Sequence, residues 1–288
     1  MSNIEYFPRD DEIVTAKPVI FDDPSLDWVA YAETRRTSGG MSGNLSDRTG
    51  NMNLENYEII NPPLSYNEWL EQETDFVKIR HQKILARLSL SDIAYPNPVH
   101  GTNLIEVKPP IVSSSIHFEA QRRYSADAAL VQTEGIASCV TPADCPVLNL
   151  VETKERSTLQ IHAGYQGLKL EVVKKVFEKI SPATTKNYLA YISPHAINGF
   201  AVYGAVLEDL ASNAATRDFI YNRNDSHYFD LGAASMQHLI DIGIPESHIQ
   251  LSTDDTLSQP ELFSHRNRHE KGANGRNGIV LGIRNSHA

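Results

Sequence analysis

Two runs of apolar positions near the middle of the chain each meet a reactive side chain. Thr141-Pro-Ala-Asp-Cys145-Pro-Val-Leu and Leu159-Gln-Ile-His162-Ala-Gly-Tyr-Gln-Gly167 read as buried strands with a thiol or an imidazole at the exit. Ala163, Gly164 and Gly167 supply a small-residue turn, after which a helix is expected over residues 168–180. Residues 65–88 also read as a helix. Ser65 can cap it, Glu68 fits a capping box, and Trp69, Phe76, Ile79 and Ile84 give a broken apolar stripe. Short apolar segments at 136–140, 188–192, 249–252 and 278–283 are expected strands, and 206–215 and 227–242 expected helices. Residues 1–30 read as an extension with one strand over 13–20, ahead of a single catalytic domain at 31–288. Polar, glycine-containing loops cover 34–53 and 267–274. Strands and helices alternate too irregularly for a doubly wound sheet.

Composition narrows the function. The 288 residues are 41% hydrophobic and 22% charged, the profile of a globular protein with a real core. A net charge of -10 offers no basic face for a phosphate backbone, so general nucleic-acid binding is excluded. A small anionic substrate held by one or two arginines is not. No apolar run is long enough to span a bilayer, so no membrane partner is expected. Residues 1–11 are polar and acidic, without the features of a secretory signal. With Cys139 and Cys145 the only cysteines, a disulfide scaffold is excluded and a cytoplasmic location expected. The oligomeric state is open between monomer and homodimer.

The chemistry centres on Cys145 and His162, with His100 as a third arm from Pro96-Asn-Pro-Val-His100-Gly. A thiolate with two imidazoles is a strong ligand set for zinc, and three protein ligands leave one position open, the pattern of a catalytic site. Copper is the second choice on affinity grounds. Multicopper oxidase chemistry needs paired imidazoles, and the eleven histidines contain no His-x-His. Other readings stand beside the metal site. Cys145 could be a small core residue, as Cys139 is read to be. It could also be the nucleophile of a Cys-His dyad, with His162 as base and Asp144 or Asp127 as orienter.

Thr34-Arg35, Gly39-Gly40-Met-Ser42, Met52-Asn53-Leu54, Val99-His100-Gly, Ala126-Asp127-Ala, Ala143-Asp144-Cys145, His162-Ala-Gly164, Phe263-Ser264, Arg266 and Asn274-Gly275-Arg276 follow one another in a recognisable order. That order resembles the laccase-domain family, YfiH-like proteins often labelled polyphenol oxidase. The resemblance runs from about Ala32 to Ile283. It implies an α/β (α+β) fold: a four-layer αββα sandwich of mixed sheets, similar to cysteine hydrolases. It implies zinc on His100, Cys145 and His162. It also implies phosphorolysis of purine nucleosides, methylthioadenosine included, or deamination of adenosine, and some bacterial members are linked to peptidoglycan-precursor editing. The chain departs from the pattern at Tyr165-Gln166, where the family has Trp-Arg, at Ser193-Pro194-His195 and at Ser252-Thr253. A glutamine cannot supply the guanidinium fork that suits phosphate.

The leading expectation is therefore a zinc enzyme on a nucleoside-like substrate, with phosphate as a possible second substrate. Cys145, His100, His162 and Asp144 are the expected catalytic residues. Arg35, Arg80 and Arg276 are candidates for an anion, and Ser42 and Asn53 for hydroxyl groups. Asp127 and Asp144 are candidates to orient the ligand imidazoles. A Cys-His hydrolase or transferase on another small molecule, and a catalytically dead ligand-binding homologue, are the alternatives.

Overall fold

The computed structural model describes residues 13–14, 17–36, 65–109, 125–197, 199–272 and 274–286. The chain runs β1 (Ile13–Val14), β2 (Val29–Thr34), α1 (Tyr66–Leu88), β3 (Asp92–Ala94), β4 (Leu104–Val107), β5 (Ala128–Val131), β6 (Ile136–Val140), β7 (Val147–Glu152) and β8 (Ser157–His162). It continues with α2 (Tyr165–Lys169), α3 (Val172–Ile180), β9 (Tyr188–Ile192), α4 (Gly204–Ser212), β10 (Ile220–Arg223), β11 (Ser226–Phe229), α5 (Leu231–Asp241), β12 (Ile249–Leu251) and β13 (Ile279–Ile283). One sheet has the order β1-β2-β13-β6-β3 and the other β12-β9-β7-β8-β5-β4, with β10 and β11 a separate hairpin. Both large sheets are mixed: β3–β6, β4–β5 and β9–β12 are parallel pairs, and the central pairs are antiparallel.

Alternation along the strands assigns each side chain to a layer. Tyr31, Val140, Ile279 and Leu281 of the first sheet meet Val147, Val151 and Tyr191 of the second. Ala30, Ala32, Ala137, Cys139 and Val280 point the other way, onto Ile84 and Leu88 of α1. The second sheet turns Leu148, Leu150, Leu159, Ile161, Ala190 and Ile192 outward, onto Val172, Val176, Leu210, Leu231 and Leu239 of the helices. The result is helix, sheet, sheet, helix, the four-layer α+β sandwich expected. Between the sheets, buried Gln160 accepts from Ser138 Oγ (2.7 Å) and donates to Asn149 Oδ1 (2.8 Å) and the Ile279 carbonyl (3.0 Å). Those bonds satisfy polar groups that would otherwise be costly to bury. Phe21 and Leu26, from the segment read as an extension, lie in the same inter-sheet core.

Several local expectations are corrected. The capping box at α1 is present, with Ser65 N–H donating to Glu68 Oε2 (2.9 Å). Of the expected stripe Ile84 is buried, Phe76 and Ile79 are half-buried and the Trp69 side chain lies outside the described residues; the buried line runs along Val77, Arg80, His81, Ile84 and Leu88. The helix expected over 168–180 is two helices, because Glu171 adopts a left-handed conformation (φ 55°) between α2 and α3. Residues 226–229 form a strand rather than a helix start. Asn224 and Asp225, both at positive φ (50° and 58°), turn β10 into β11, and α5 begins only after Asp230, whose side chain caps it. Among the described residues of 13–20 only Ile13–Val14 is strand, and Val19–Phe21 is a 3-10 turn. Cys145 lies not at a strand exit but in the bend between β6 and β7.

Candidate metal centre

His162 is the last residue of β8 and is buried. Its N–H donates to the Asp127 carbonyl (2.7 Å), and the next N–H, from Ala163, donates to the Pro146 carbonyl (2.9 Å). The second bond holds the exit of β8 against the Cys145 bend. That bend is held again where Val147 N–H donates to Ser193 Oγ (2.9 Å) and Ala196 N–H to the Asp144 carbonyl (2.9 Å). His100 comes from the loop before β4 and is exposed, with φ at 59°. Asp127, 1% exposed, holds this loop: Oδ1 accepts from Val99 N–H (3.0 Å) and Oδ2 from Asn103 N–H (3.3 Å).

These loops bring His100, Cys145 and His162 together. Each offers one ligand atom, and the three atoms lie within 4.8 Å of one another. Among the described residues no other group of three or more His, Cys, Asp or Glu side chains has this geometry. The two imidazoles stand nearly perpendicular, with centroids 5.1 Å apart. Gly164 forms the floor. A Cβ there would lie 3.1 Å from His100 Cδ2, 3.1 Å from His162 Cε1 and 3.2 Å from Cys145 Sγ. The donor set and this cradle suit a small metal ion. Burial first, then the Asp144 carboxylate, push the bare Cys145 thiol up to about 12, while Arg276 and Arg266 act the other way. A thiol in such surroundings becomes a thiolate when a cation sits beside it.

The remaining expected residues divide. Asp144 uses both oxygens on the chain around the bend, accepting from Thr256 Oγ1 (2.9 Å) and Arg266 N–H (2.9 Å). Arg276 acts electrostatically on Cys145, and its guanidinium donates to Asn274 Oδ1 (3.1 Å) and the Gly275 carbonyl (2.8 Å). Arg35 does not fit a free anion site. It is paired with Glu33 (2.9 Å), Asp254 (2.7 Å) and, more loosely, Glu261 (3.9 Å). Arg80 is buried in α1, 5.8 Å from the Phe76 ring centroid, on the helix that covers the outer face of the five-stranded sheet. Ser42 and Asn53 lie outside the described residues.

His195 and His265 do not join the three-donor group. His195 is buried with Nδ1 bonded to the Ser193 carbonyl (2.9 Å), and His265 Nδ1 faces Asn274 Oδ1 (3.3 Å). Arg266 was not among the expected site residues. Its guanidinium lies 3.9 Å from the Phe200 ring centroid, and Phe200 in turn packs on Tyr165 at 6.0 Å. Among the described residues Arg266 has no carboxylate partner, which leaves its charge available beside Cys145. The available signal was its place in the closing motif. Among the described residues no helix is long and apolar enough to cross a membrane.

The chain is 24% identical over 216 residues to a purine nucleoside phosphorylase of Bacteroides thetaiotaomicron, covering 71% of this chain and 80% of that protein. It is 23% identical to a purine nucleoside phosphorylase of Rickettsia conorii, covering 80% and 90%. The fold matches hypothetical protein YfiH of Bacillus licheniformis with a TM-score of 0.71 at 17% identity, covering 92% of this chain and 98% of that one. YlmD from Geobacillus stearothermophilus matches with a TM-score of 0.70 at 18% identity, covering 94% and 99%. A sequence profile described as "Multi-copper polyphenol oxidoreductase laccase" spans residues 44–284, so the chain belongs to this laccase-like, YfiH-type family.

Proposed function

We propose that the protein is a zinc-dependent enzyme of purine nucleoside metabolism, with phosphorolysis of adenosine, inosine or methylthioadenosine as its reaction. The observation that carries this reading is the three-donor group His100, Cys145 and His162 in a chain whose relatives are named purine nucleoside phosphorylases. Zinc suits two imidazoles and one thiolate with an open fourth position, and copper is the second choice. When bound, the ion polarises an oxygen of water or substrate at that open position.

The protein side of the site has three tasks. His100, Cys145 and His162 hold the ion. Arg276 and Arg266, the cations that act on Cys145, hold the anionic co-substrate, phosphate, in place of Arg35 and Arg80. The Tyr165 and Phe200 rings offer an apolar surface on which a planar base can rest. Phosphorolysis forms a bond from a phosphate oxygen to C1′ of the ribose and breaks the bond from C1′ to the base, which leaves with a proton. Neither Cys139 nor Cys145 forms a disulfide, which fits a cytoplasmic setting.

The Cys-His hydrolase reading is weaker. Burial holds the thiol at about 12, so little thiolate is present for attack without a metal. The deciding experiment is incubation of zinc-loaded protein with adenosine, inosine or methylthioadenosine, with and without phosphate. Free base and ribose 1-phosphate (or its methylthio analogue), appearing only with phosphate, are the expected products. Ammonia without phosphate makes the reaction a deamination. Tight nucleoside binding with no turnover makes the protein a binding homologue and overturns the proposal.

A further inference from the structure

We infer that Asp127 is the positioning residue of the metal cage, and that its carboxylate acts on one arm only, His100. This rests on the reading of His100, Cys145 and His162 as metal ligands. The Asp127 side chain is 1% exposed and accepts at both oxygens, from Val99 N–H at 3.0 Å and Asn103 N–H at 3.3 Å. Those two residues bracket the short loop that carries His100. Main-chain bonds reinforce the clamp: Asp127 N–H and Ala128 N–H both donate to the Asn103 carbonyl, at 2.8 and 2.9 Å.

Such a clamp suits His100 because its backbone is left-handed (φ 59°), a conformation uncommon for residues with a side chain. The neighbouring Gly101 supplies the room. A Cβ there would stand 3.3 Å from Asp127 Oδ2. A buried carboxylate accepting two backbone N–H groups makes charge-assisted bonds, stronger than those of a neutral acceptor. His162 depends on the same residue differently. Its N–H donates to the Asp127 main-chain carbonyl at 2.7 Å, a bond that side-chain substitution leaves in place. The carboxylate therefore sets His100, while the backbone of the same residue sets His162.

Asp127→Asn separates the two effects. The amide keeps one acceptor oxygen for Val99, but its NH2 faces the Asn103 N–H, donor against donor. The loop loosens around His100, and His162 and Cys145 stay in place. The test uses the full chain stripped of metal and reloaded with cobalt(II). Wild type should show the intense visible d–d bands of a four-coordinate ion and a near-ultraviolet thiolate-to-cobalt band. Asp127→Asn should keep the thiolate band, change the d–d bands to those of His100→Ala, and weaken zinc binding about 10- to 100-fold in a chelator competition.

The double variant decides between positioning and general damage. If Asp127 acts through His100, then Asp127→Asn adds no further loss in a His100→Ala background. A full further loss in that background overturns the proposal, as does an Asp127→Asn protein with wild-type zinc affinity. Should Asp127→Asn fail to fold, Gly101→Ala carries the same test from the loop side. It should reproduce the His100→Ala d–d bands and weaken zinc binding, and a wild-type spectrum and affinity in that variant overturn the clamp. A wild-type protein that takes up no cobalt or zinc fails the ligand assignment itself, a result distinct from failure of the clamp.

Discussion

A side chain begun at Gly164 would place its first carbon 3.2 Å from the sulfur of Cys145, with both imidazoles as close. The backbone there is extended (φ -68°, ψ 161°), so alanine meets no conformational objection. The consequence of Gly164→Ala is thus local and steric: all three donors must give way together by a few tenths of an ångström. The variant is expected to unfold near the wild-type temperature and to bind zinc at least about 10-fold more weakly, the scale set by disturbed ligand support. Chelator competition and a melting curve on the same samples check both halves.

Arg266 and Arg35 make opposite demands. Arg266 lies on Phe200 with an available fork, so Arg266→Lys keeps the charge and loses both the stacking and the bidentate geometry. Steady-state kinetics should show the KM for phosphate raised about 10-fold, a loss of about 1.4 kcal/mol, with nucleoside KM little changed. Arg35→Ala acts on the fold. It strips buried Glu33 of its cation and leaves the carboxylate to the Tyr31 and Tyr191 hydroxyls. Removing one partner of a buried pair costs about 3 kcal/mol or more, visible in urea unfolding whether or not phosphate is present.

How much of this was legible in the sequence depends on the range of the contacts. His100, Cys145 and His162 are recognisable because their flanking small residues and motif order travel with them. Arg35 misleads because, beside its near neighbour Glu33, its partners Asp254 and Glu261 come from the far end of the chain. Strand β2 goes unread because all six of its residues are buried, Glu33 and Thr34 included, so no polar alternation marks it. The hairpin of β10 and β11 is missed for a local reason, since Asn224-Asp225 carries the turn without the glycine that usually announces it. Arg266 stands in the closing motif, but the motif does not tell its role until Phe200 is placed beneath it.

Acid should weaken the fold through two histidines remote in sequence from the cage. Burial lowers the pKa of His81, whose Nδ1 meets Tyr95 Oη at 2.7 Å, with Asp92 acting in the opposite direction. Burial also lowers that of His195, against the Ser193 carbonyl, Asp230 and Asp255. Each group binds its proton more readily in the unfolded chain, whose pKa is about 6.5. Above that pH both are neutral in either state and the stability is fully present. As pH falls from about 6.5 toward the folded pKa, the unfolded state takes up protons first and stability drops, by at most about 1.4 kcal/mol per pH unit for each histidine. Urea unfolding of metal-free protein at stepped pH measures the slope, and His81→Gln should remove part of it.

His195 also explains a glycine in the first turn of a helix. At Gly232, the second residue of α5, a Cβ would come 2.6 Å from His195 Nε2, 3.2 Å from its Cε1 and 3.3 Å from Leu251 Cδ1. Helix propensity alone argues for alanine, by up to about 1 kcal/mol. The steric term is larger. His195 is 1% exposed and tethered through Nδ1 to the Ser193 carbonyl, so its ring has nowhere to retreat without breaking that bond. Overpacking at such a site costs about 1–3 kcal/mol, and loss of the bond adds about 1 more. Gly232→Ala is therefore expected to lower stability despite the better helix former. His195→Ala should relieve the clash, so the double variant should lose less than the sum of the two single losses. Additive losses in calorimetric melts of all four proteins would show that the two residues do not meet.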